Sequence, residues 1–384
     1  MIKIQKPSDC CGCSACASIC NYDAITMQPD ALGFLYPVVD ESKCTNCGLC
    51  EKVCAFNDHY DTSLNFPEPI AYGARQIDID EVMKSRSGAV FAAIADYVLQ
   101  QGGIVYGVGY TDHFRVVHKR ATTKDECDEF RGSKYVQSDL NGTFRQVKKD
   151  LKDGLTVLFS GTPCQTSGLN SYIGKKLRTN LILIDLVCHG VPAPYIWRDY
   201  IALLEKQQGS PITWVNFRDK SQFGWKDHRE TFKFLKGGGE MWFTKTFYKD
   251  IINRYSCSNC HFCNIHRPSD ITIADFWGWE KTGSTINEDN KGVNLILINT
   301  EKGREIFDAI KDRLEIVNAT PDAYMQPNLQ RPTPMHRERM HLEKDYMKYG
   351  FEYVYNKEYH KDSATIRFLK GVKKILQKNL SRFK

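Results

Sequence analysis

The chain has 384 residues, and 42% of them are hydrophobic, so it can bury a core and form two or three domains. Its formal net charge of +6 is small for this length, which argues against nucleic acid as a partner. The residues after Met1 lack the apolar segment of a signal peptide, and no stretch reaches the length of a membrane span, about 18 apolar residues. We therefore expect a cytoplasmic protein whose 15 cysteines are reduced thiols or metal ligands rather than disulfides.

Two copies of the pattern C-x2-C-x2-C-x3-C lie near the N-terminus. They consist of Cys10, Cys13, Cys16 and Cys20, and of Cys44, Cys47, Cys50 and Cys54. This spacing is typical of proteins with two 4Fe-4S clusters, in which the fourth cysteine of each run ligates the other cluster. We therefore expect one cluster on Cys10, Cys13, Cys16 and Cys54, and a second on Cys44, Cys47, Cys50 and Cys20. A zinc site or a disulfide framework would not need the doubled motif, and exposed clusters of this type favour an anaerobic setting.

The rest of the chain alternates predicted strands and helices. A polar, proline-containing stretch at 59–69 predicts an interdomain linker. The apolar pattern then predicts a strand at 70–77 and a helix at 80–101. Further predicted strands and helices follow at 104–110, 115–120, 141–153, 156–159 and 181–187. This alternation indicates an α/β core.

Five more cysteines in the second half are candidate metal ligands: Cys164, Cys188, Cys257, Cys260 and Cys263. Cys164 and Cys188 each follow an apolar strand at a turn rich in Gly or Pro, which is the edge where open α/β sheets bind ligands. The other three have iron–sulfur spacing but no fourth cysteine, so Cys164 or Cys188 would complete a third cluster. A zinc site with a nearby histidine such as His261, or no metal at all, is the alternative. Cys11 and Cys127 fit no such spacing.

Three polar turns flanked by glycine have the composition of phosphate-binding turns. The turn at 85–88 precedes a predicted helix, the turn at 131–134 offers a guanidinium fork and a point charge, and the turn at 160–163 follows a predicted strand. His189, beside Cys188, is a candidate proton donor. No G-x-G-x-x-G motif lies between a strand and a helix, so nothing favours a nicotinamide-binding fold.

Several segments, taken in order, carry a family resemblance. They are Ser87-Gly88 before a helix, the run Phe130-Arg131-Gly132-Ser133-Lys134-Tyr135-Val136-Gln137, and the stretches 160–165, 185–192 and 269–278. With the doubled cysteine motif, this array resembles the family of coenzyme F420 hydrogenase/dehydrogenase beta subunits, preceded by a two-cluster ferredoxin domain. The resemblance to the beta subunits covers residues 68–330.

The resemblance implies a bound FAD, an iron–sulfur cluster close to it, and a two-electron substrate stacked on the flavin ring. The matching positions implied to bind the flavin are Ser87, Gly88, Arg131, Gly132, Ser133, Lys134, Tyr135, Gln137, Gly161, Thr162 and Pro163. Two departures from the family pattern stand out. Ala89 stands where the family usually shows the second glycine of a pair, and the triplet of core cysteines exceeds the expected two.

The predicted fold has two main parts. Residues 1–58 are expected to form a small α+β domain, a ferredoxin-like βαββαβ unit, and 70–335 a mixed α/β flavin-binding domain after the linker. Residues 336–384 are expected to form a C-terminal basic helical extension, because apolar residues recur there at helical spacing among lysines and arginines. This helix either packs on its own domain or makes a peripheral contact with a membrane or a partner.

The sequence therefore predicts an FAD- and 4Fe-4S-dependent oxidoreductase. It would pass electrons between its clusters and a two-electron substrate, either the deazaflavin coenzyme F420 or another organic acceptor. A flavin is needed because a hydride carries two electrons and a 4Fe-4S cluster accepts one. The expected partners are a redox protein such as ferredoxin and the small-molecule substrate. The alternatives are an electron-transfer adaptor without its own substrate, and a reductase in a surface-polysaccharide pathway.

Overall fold

The computed structural model describes residues 1–57, 59–236 and 242–358. The strands are β1 Ile25–Pro29, β2 Leu35–Val39, β3 Asn65–Gln76, β4 Ile104–Tyr110, β5 Val116–Ala121, β6 Val157–Gly161, β7 Leu181–Leu186, β8 Ile212–Asn216, β9 Thr231–Phe234, β10 Ile271–Asp275, β11 Asn294–Thr300 and β12 Leu314–Asn318. The helices are α1 Ala15–Ile19, α2 Leu49–Lys52, α3 Ile79–Lys84, α4 Val90–Gln100, α5 Lys124–Asp128, α6 Thr143–Lys152, α7 Pro163–Ile173, α8 Pro194–Gln208, α9 Lys220–Phe223, α10 Trp242–Tyr248, α11 Glu301–Ile310, α12 Pro321–Tyr324 and α13 Arg339–Tyr349. Residues 351–358 are also helical, and no helix in the described ranges combines the length and apolar composition needed to cross a membrane. Most of the predicted basic extension, 359–384, lies outside the described residues.

The N-terminal segment is a helix–hairpin–helix unit. Strands β1 and β2 pair in antiparallel orientation, and α1 and α2 each follow a residue in the left-handed conformation, Ser14 and Gly48. The predicted βαββαβ unit has four strands, whereas residues 1–57 contain only these two. No strand precedes α1 in the described residues, and the Ile2 N–H there donates to Cys50 Sγ at 3.2 Å.

One eight-stranded sheet supports most of the remaining described residues, with strand order β12-β3-β11-β10-β7-β6-β4-β5. Strands β10, β7, β6 and β4 run parallel, and the other pairings in this sheet are antiparallel. The prediction of a mixed α/β fold is therefore confirmed. The sheet begins earlier than predicted: β3 starts inside the expected linker 59–69, because Asn65 pairs with Thr300 beyond a bulge in β11.

The parallel strands bring their carboxyl ends to one edge of the sheet. Strand β6 passes directly into α7, which begins there because Pro163 occupies its first turn and Thr162 caps it by donating its N–H to Gln165 Oε1 at 3.0 Å. Strand β7 ends at Leu186 and β10 ends at Asp275. Open α/β sheets bind ligands at this edge.

The N-terminal segment packs on helices α6 and α7. Gly168 in α7 lies so close to Cys13 that a Cβ on it would stand 2.7 Å from the cysteine Sγ. Arg145 in α6 donates to the backbone carbonyls of Ala17, Ser18 and Cys20 at 3.0–3.2 Å. The cysteine-rich segment is thus in tight contact with two helices of the larger α/β part.

The turn before α4 yields a test of the backbone path. Ala89 has a φ of 65°, in the left-handed region, and a Cβ on Gly88 would lie 2.4 Å from Ala74 O. We expect Ala89→Gly to raise the free energy of unfolding by up to about 1 kcal/mol, because it relieves the left-handed strain. Gly88→Ala should lower it by about 1–3 kcal/mol, because the backbone of β3 blocks the added methyl group. Urea unfolding of both variants beside the wild type checks the two signs, and shifts in the same direction would contradict this geometry.

Candidate functional site

Four of the predicted N-terminal ligands lie together. Burial raises the pKa of the Cys16 thiol, and the thiols of Cys13, Cys10 and Cys54 stand near enough to raise it further by repulsion. The fourth cysteine of the second run therefore joins the first three cysteines of the first run. This grouping is the one that the spacing predicts.

The other N-terminal cysteines lie along the same small core. Cys20 and Cys50 pack around Ile25, while Cys44 is half-buried and Cys47 is exposed in the loop before α2. Thiolates are the ligands that 4Fe-4S clusters require, so the donor set fits. Within the described ranges no three His, Cys, Asp or Glu side chains form a group that could hold a single metal ion.

The core cysteines also come together in space. Burial raises the pKa of Cys188, and the thiols of Cys257, Cys164 and Cys260 raise it further. The pKa of Cys263 is raised as well, chiefly by the neighbouring Cys260 thiol, so these two side chains also lie close together. The turns after β6 and β7 thus face the loop that carries the cysteine triplet. This arrangement is the one expected if either turn supplies the fourth ligand of a third cluster.

Three residues outside the iron–sulfur spacing occupy distinct places. Cys127 is buried in the apolar core that contains α4. Cys11 is buried in the core cluster that contains Cys13 and against which Cys164 packs, a placement that the sequence does not signal. His261, the alternative zinc ligand, packs its ring edge-on against a phenylalanine ring.

A cavity of about 580 Å³ opens at the carboxyl edge of the parallel strands, within the size range of small-molecule sites. Its lining contains most of the predicted flavin and catalytic positions: Ser87, Arg131, Gly132, Ser133, Lys134, Tyr135, Gly161, Thr162 and His189. Cys188 also lines the cavity, which therefore reaches the core cysteine group. Turns that are far apart in the chain thus share one site.

Three predicted flavin positions lie outside this lining and support it instead. Gly88 packs against the backbone of β3, and Pro163 begins α7. Gln137 points elsewhere: its Nε2 donates to Cys11 O and its Oε1 accepts from Arg254 Nη1, each at 2.8 Å. The side chain of Gln137 therefore joins the N-terminal cysteine loop to the core, and the expected direct contact with the cavity is not formed.

Arg131 and Lys134 line the cavity, but protein groups engage both side chains. Arg131 donates to Glu81 and Asp128, each at 2.6 Å. Lys134 Nζ donates to the carbonyls of Glu129 and Arg131 at 2.7 and 2.9 Å, and burial lowers its pKa to about 7. The guanidinium of Arg131 and the ammonium of Lys134, which were expected to bind a pyrophosphate, are therefore already paired with protein groups. Both side chains shape the turn, which presents its backbone to the cavity.

Positive charge near the cavity comes instead from Arg86, within the predicted turn 85–88, and from Arg218, which sequence reasoning missed. Both arginines line the cavity and contact Asp275. Lys220, outside the lining, donates to Ser87 O at 2.9 Å, and burial, together with repulsion from Arg86, lowers its pKa to about 7. Two arginines face one carboxylate, so this wall favours an anionic ligand. Asp275 lies in a segment that carries the family resemblance, whereas no motif marks Arg218.

Aromatic rings form another wall of the cavity. Trp277 stacks on Trp225 with 4.5 Å between ring centroids, and His228 stacks on Trp277 at 5.5 Å. Burial lowers the pKa of His228, which keeps this ring neutral. A flat wall of this kind suits a planar ligand. The catalytic candidate His189 has its Nε2 2.7 Å from Asp250 Oδ1, but the two groups are not aligned for a hydrogen bond.

A chain of hydrogen bonds runs beneath the cavity from His118 to the start of α7. His118 bonds to Ser160 O through Nε2 at 3.1 Å and to Ser138 Oγ through Nδ1 at 3.0 Å, and burial lowers its pKa to about 4. Because a carbonyl only accepts, Nε2 carries the proton of the neutral ring. Ser138 accepts from Gln165 Nε2 at 3.0 Å, and Gln165 Oε1 accepts from both the N–H and the hydroxyl of Thr162. The chain therefore fixes the turn that carries Thr162.

Ser138→Ala tests this network. The change leaves buried His118 Nδ1 and Gln165 Nε2 without partners, which should lower the free energy of unfolding by about 1–3 kcal/mol. Ser171, an exposed serine of α7, provides the control, because Ser171→Ala should change stability by no more than about 0.5 kcal/mol. Chemical denaturation of protein purified without oxygen measures both. Equal effects of the two changes would contradict the network.

Comparisons with known proteins test the resemblance that the sequence carries. Residues 154–323 match the family model for the C terminus of the coenzyme F420 hydrogenase/dehydrogenase beta subunit, and residues 9–57 match a 4Fe-4S dicluster domain. Both parts of the resemblance seen in the sequence are therefore confirmed. The chain is an iron–sulfur electron-transfer protein related to the beta subunits of that family.

Two individual proteins illustrate the relationship. The chain is 24% identical over 331 residues to the F subunit of F(420)H(2) dehydrogenase from Methanosarcina mazei, an alignment that covers 80% of this chain and 84% of the relative. It is also similar to a chain in the xenon-derivatised F420-reducing NiFe hydrogenase complex from Methanosarcina barkeri. That match has a TM-score of 0.46 and 17% identity, and it covers 66% of this chain and 84% of the other.

Proposed function

We propose that the protein is an FAD- and 4Fe-4S-dependent oxidoreductase that exchanges electrons between its cysteine-bound clusters and a two-electron substrate. The observation that carries this proposal is the meeting of two features at one edge of the sheet. Cys188 lines the cavity, and Thr162, also in the lining, has its hydroxyl 3.2 Å from Cys164 Sγ. The cavity and the core cysteine group therefore share a wall.

The residues of the cavity fit a flavin nucleotide. The turns at 131–133 and 160–162 offer backbone N–H groups to phosphates, and Arg86 and Arg218 offset negative charge. Two N–H groups of Arg86, Nε and Nη1, are buried without a hydrogen-bond partner in the described structure, which is a further reason to expect an anion here. When bound, FAD takes up two electrons with a hydride and passes them on singly, as iron–sulfur clusters need.

We assign His189 the role of proton donor to the substrate or to the flavin. It lines the cavity beside Cys188, and its Nε2 lies 2.7 Å from Asp250 Oδ1. Two-electron reduction of a flavin or a deazaflavin takes up a proton as well as a hydride, so a positioned donor is required.

The proposed substrate is the deazaflavin coenzyme F420 or another planar, anionic two-electron carrier. The name of the Methanosarcina mazei relative supports the first choice, and the cationic and aromatic walls of the cavity suit both. The proposed partner is a redox protein such as ferredoxin, since Cys47 is exposed and leaves the second N-terminal cysteine group open to approach. The name of that relative, which marks it as one subunit of a dehydrogenase, is a further reason to expect a protein partner. We place this reaction in the cytoplasm of an anaerobe.

Cofactor content tests the proposal directly. Protein purified without oxygen should hold one FAD and about 12 iron atoms per chain, with equal acid-labile sulfide, as three four-iron clusters require. A content of about eight iron with FAD would remove the core cluster from the proposal. Iron without flavin, even after reconstitution, would contradict the oxidoreductase and favour an adaptor that has no substrate of its own.

Cys47→Ala tests whether the N-terminal clusters and the flavin occupy separate sites. Because Cys47 is exposed in the loop before α2 and lies outside the cavity lining, the variant should lose about four iron atoms and keep its FAD. Cys127→Ala removes a buried cysteine outside every predicted ligand set and should keep both cofactors. Metal analysis and flavin absorbance measure the outcome, and parallel loss of flavin from Cys47→Ala would contradict the separation.

A further inference from the structure

Tyr248, the last residue of α10, adds a hydroxyl group to the aromatic side of the cavity. It lines the cavity together with His228, and 40% of the residue is exposed. Its ring packs edge-on against Phe247 and His228, with ring centroids 5.0 and 4.7 Å apart. The ring plane of Tyr248 makes an angle of 90° with that of His228, which itself stacks on Trp277. Tyr248 is therefore a fixed ring that stands at the edge of the aromatic wall.

His228 donates a hydrogen bond to this hydroxyl group. Its Nδ1 is bonded to the Tyr248 oxygen, and its other ring nitrogen, Nε2, lies 3.4 Å from Arg218 Nη2. A guanidinium only donates, so Nε2 accepts and Nδ1 carries the proton of the neutral ring. Burial, together with repulsion from Arg86, lowers the pKa of His228 and so favours the neutral form. The proton on Nδ1 therefore points at the Tyr248 oxygen.

A buried ion pair holds Arg218 in the position that fixes this arrangement. Only 2% of the Arg218 side chain is exposed, and its guanidinium is paired with Asp275. Arg218 Nη2 also donates to Trp225 O at 3.1 Å, and Trp225 Nε1 donates to Asp275 at 2.9 Å. The contacts thus run from Asp275 through Arg218 and His228 to the Tyr248 hydroxyl, which lies at the cavity.

The consequence of this chain is a hydroxyl group that is ready to donate. A tyrosine hydroxyl has one hydrogen, and the bond from His228 already occupies a lone pair of its oxygen. The Tyr248 O–H bond must therefore point away from His228. Burial raises the pKa of Tyr248, so the hydroxyl keeps its hydrogen at neutral pH.

We propose that Tyr248 is a catalytic residue that donates a hydrogen bond to a ring carbonyl of the deazaflavin substrate, and that His228 positions it. The inference rests on the proposed function, which supplies the substrate. A deazaflavin ring has carbonyl oxygens at its edge, and it gains negative charge as a hydride adds to it, so a donor there stabilises the transition state. During reduction the ring gains a hydride, which the flavin supplies, and a proton, which His189 donates. The Tyr248 O–H bond is neither made nor broken.

Tyr248→Phe in the full chain, purified without oxygen, provides the test. The change keeps the ring and removes the hydroxyl, so it should weaken the binding of oxidised coenzyme F420 about tenfold in a fluorescence titration without turnover. Single-turnover reduction of the coenzyme by protein reduced beforehand and freed of reductant should slow about 100-fold, because the hydrogen bond strengthens as charge develops. Tyr349→Phe, at an exposed tyrosine outside the cavity lining, should match the wild type in both measurements.

Two changes at His228 test its positioning role. His228→Asn keeps an N–H donor in the place of Nδ1 and should retain most of the affinity for the coenzyme, whereas His228→Phe keeps only a ring and should lose part of it. In a Tyr248→Phe background, His228→Phe should weaken binding no further, because the hydroxyl that it positions is already gone. Additive losses in the double variant would contradict the role of His228.

The contrary outcomes are distinct. Wild-type affinity and rate in a Tyr248→Phe protein with full FAD and iron content would overturn the inference and leave the proposed function in place. Loss of FAD from that variant would place Tyr248 against the flavin, which also contradicts the inference. A wild type that holds FAD and clusters but does not bind coenzyme F420 would refute the deazaflavin and not the oxidoreductase. A wild type without FAD, even after reconstitution, would refute both proposals.

Discussion

The parallel run of β10, β7, β6 and β4 is the constraint on which the site depends. Parallel strands end at the same edge of a sheet, so the turns after β6 and β7 are neighbours although a helix separates them in the chain. These turns carry Thr162 and Cys188, which line the cavity, and Cys164, which together with Cys188 belongs to the core cysteine group. The parallel arrangement of these strands therefore brings the cavity and the core cysteine group to the same edge of the sheet.

Local signals in the sequence predicted much of this site. The cysteine spacing and the strand-to-turn motifs each lie within a few residues, and the structure gathers nearly all the motif positions around one cavity. A motif does not say where a side chain points, however. Gln137 binds Cys11 O, and Lys134 binds the carbonyls of its own turn, so neither makes the contact that the motif suggested.

Long-range contacts explain what the sequence could not predict. Arg218 and Lys220 follow β8, far from the motifs, and only the folded chain brings Arg218 against Asp275. The early start of β3 likewise depends on the pairing of Asn65 with Thr300. In each case the decisive partner lies too far along the chain for periodicity or spacing to reveal it.

The two arginines that hold the N-terminal segment recognise its main chain. Arg145 and Arg254 donate to carbonyl oxygens of that segment: those of Ala17, Ser18, Cys20, Cys10 and Leu35. Every residue type has a backbone carbonyl, so side chains at 17, 18 and 35 can vary during evolution without loss of these bonds. An insertion or deletion in either loop would move the carbonyls out of reach. The contact between the N-terminal segment and the rest of the chain thus tolerates substitutions at these positions but not changes in loop length. This requirement limits the ferredoxin units that could replace the segment by recombination.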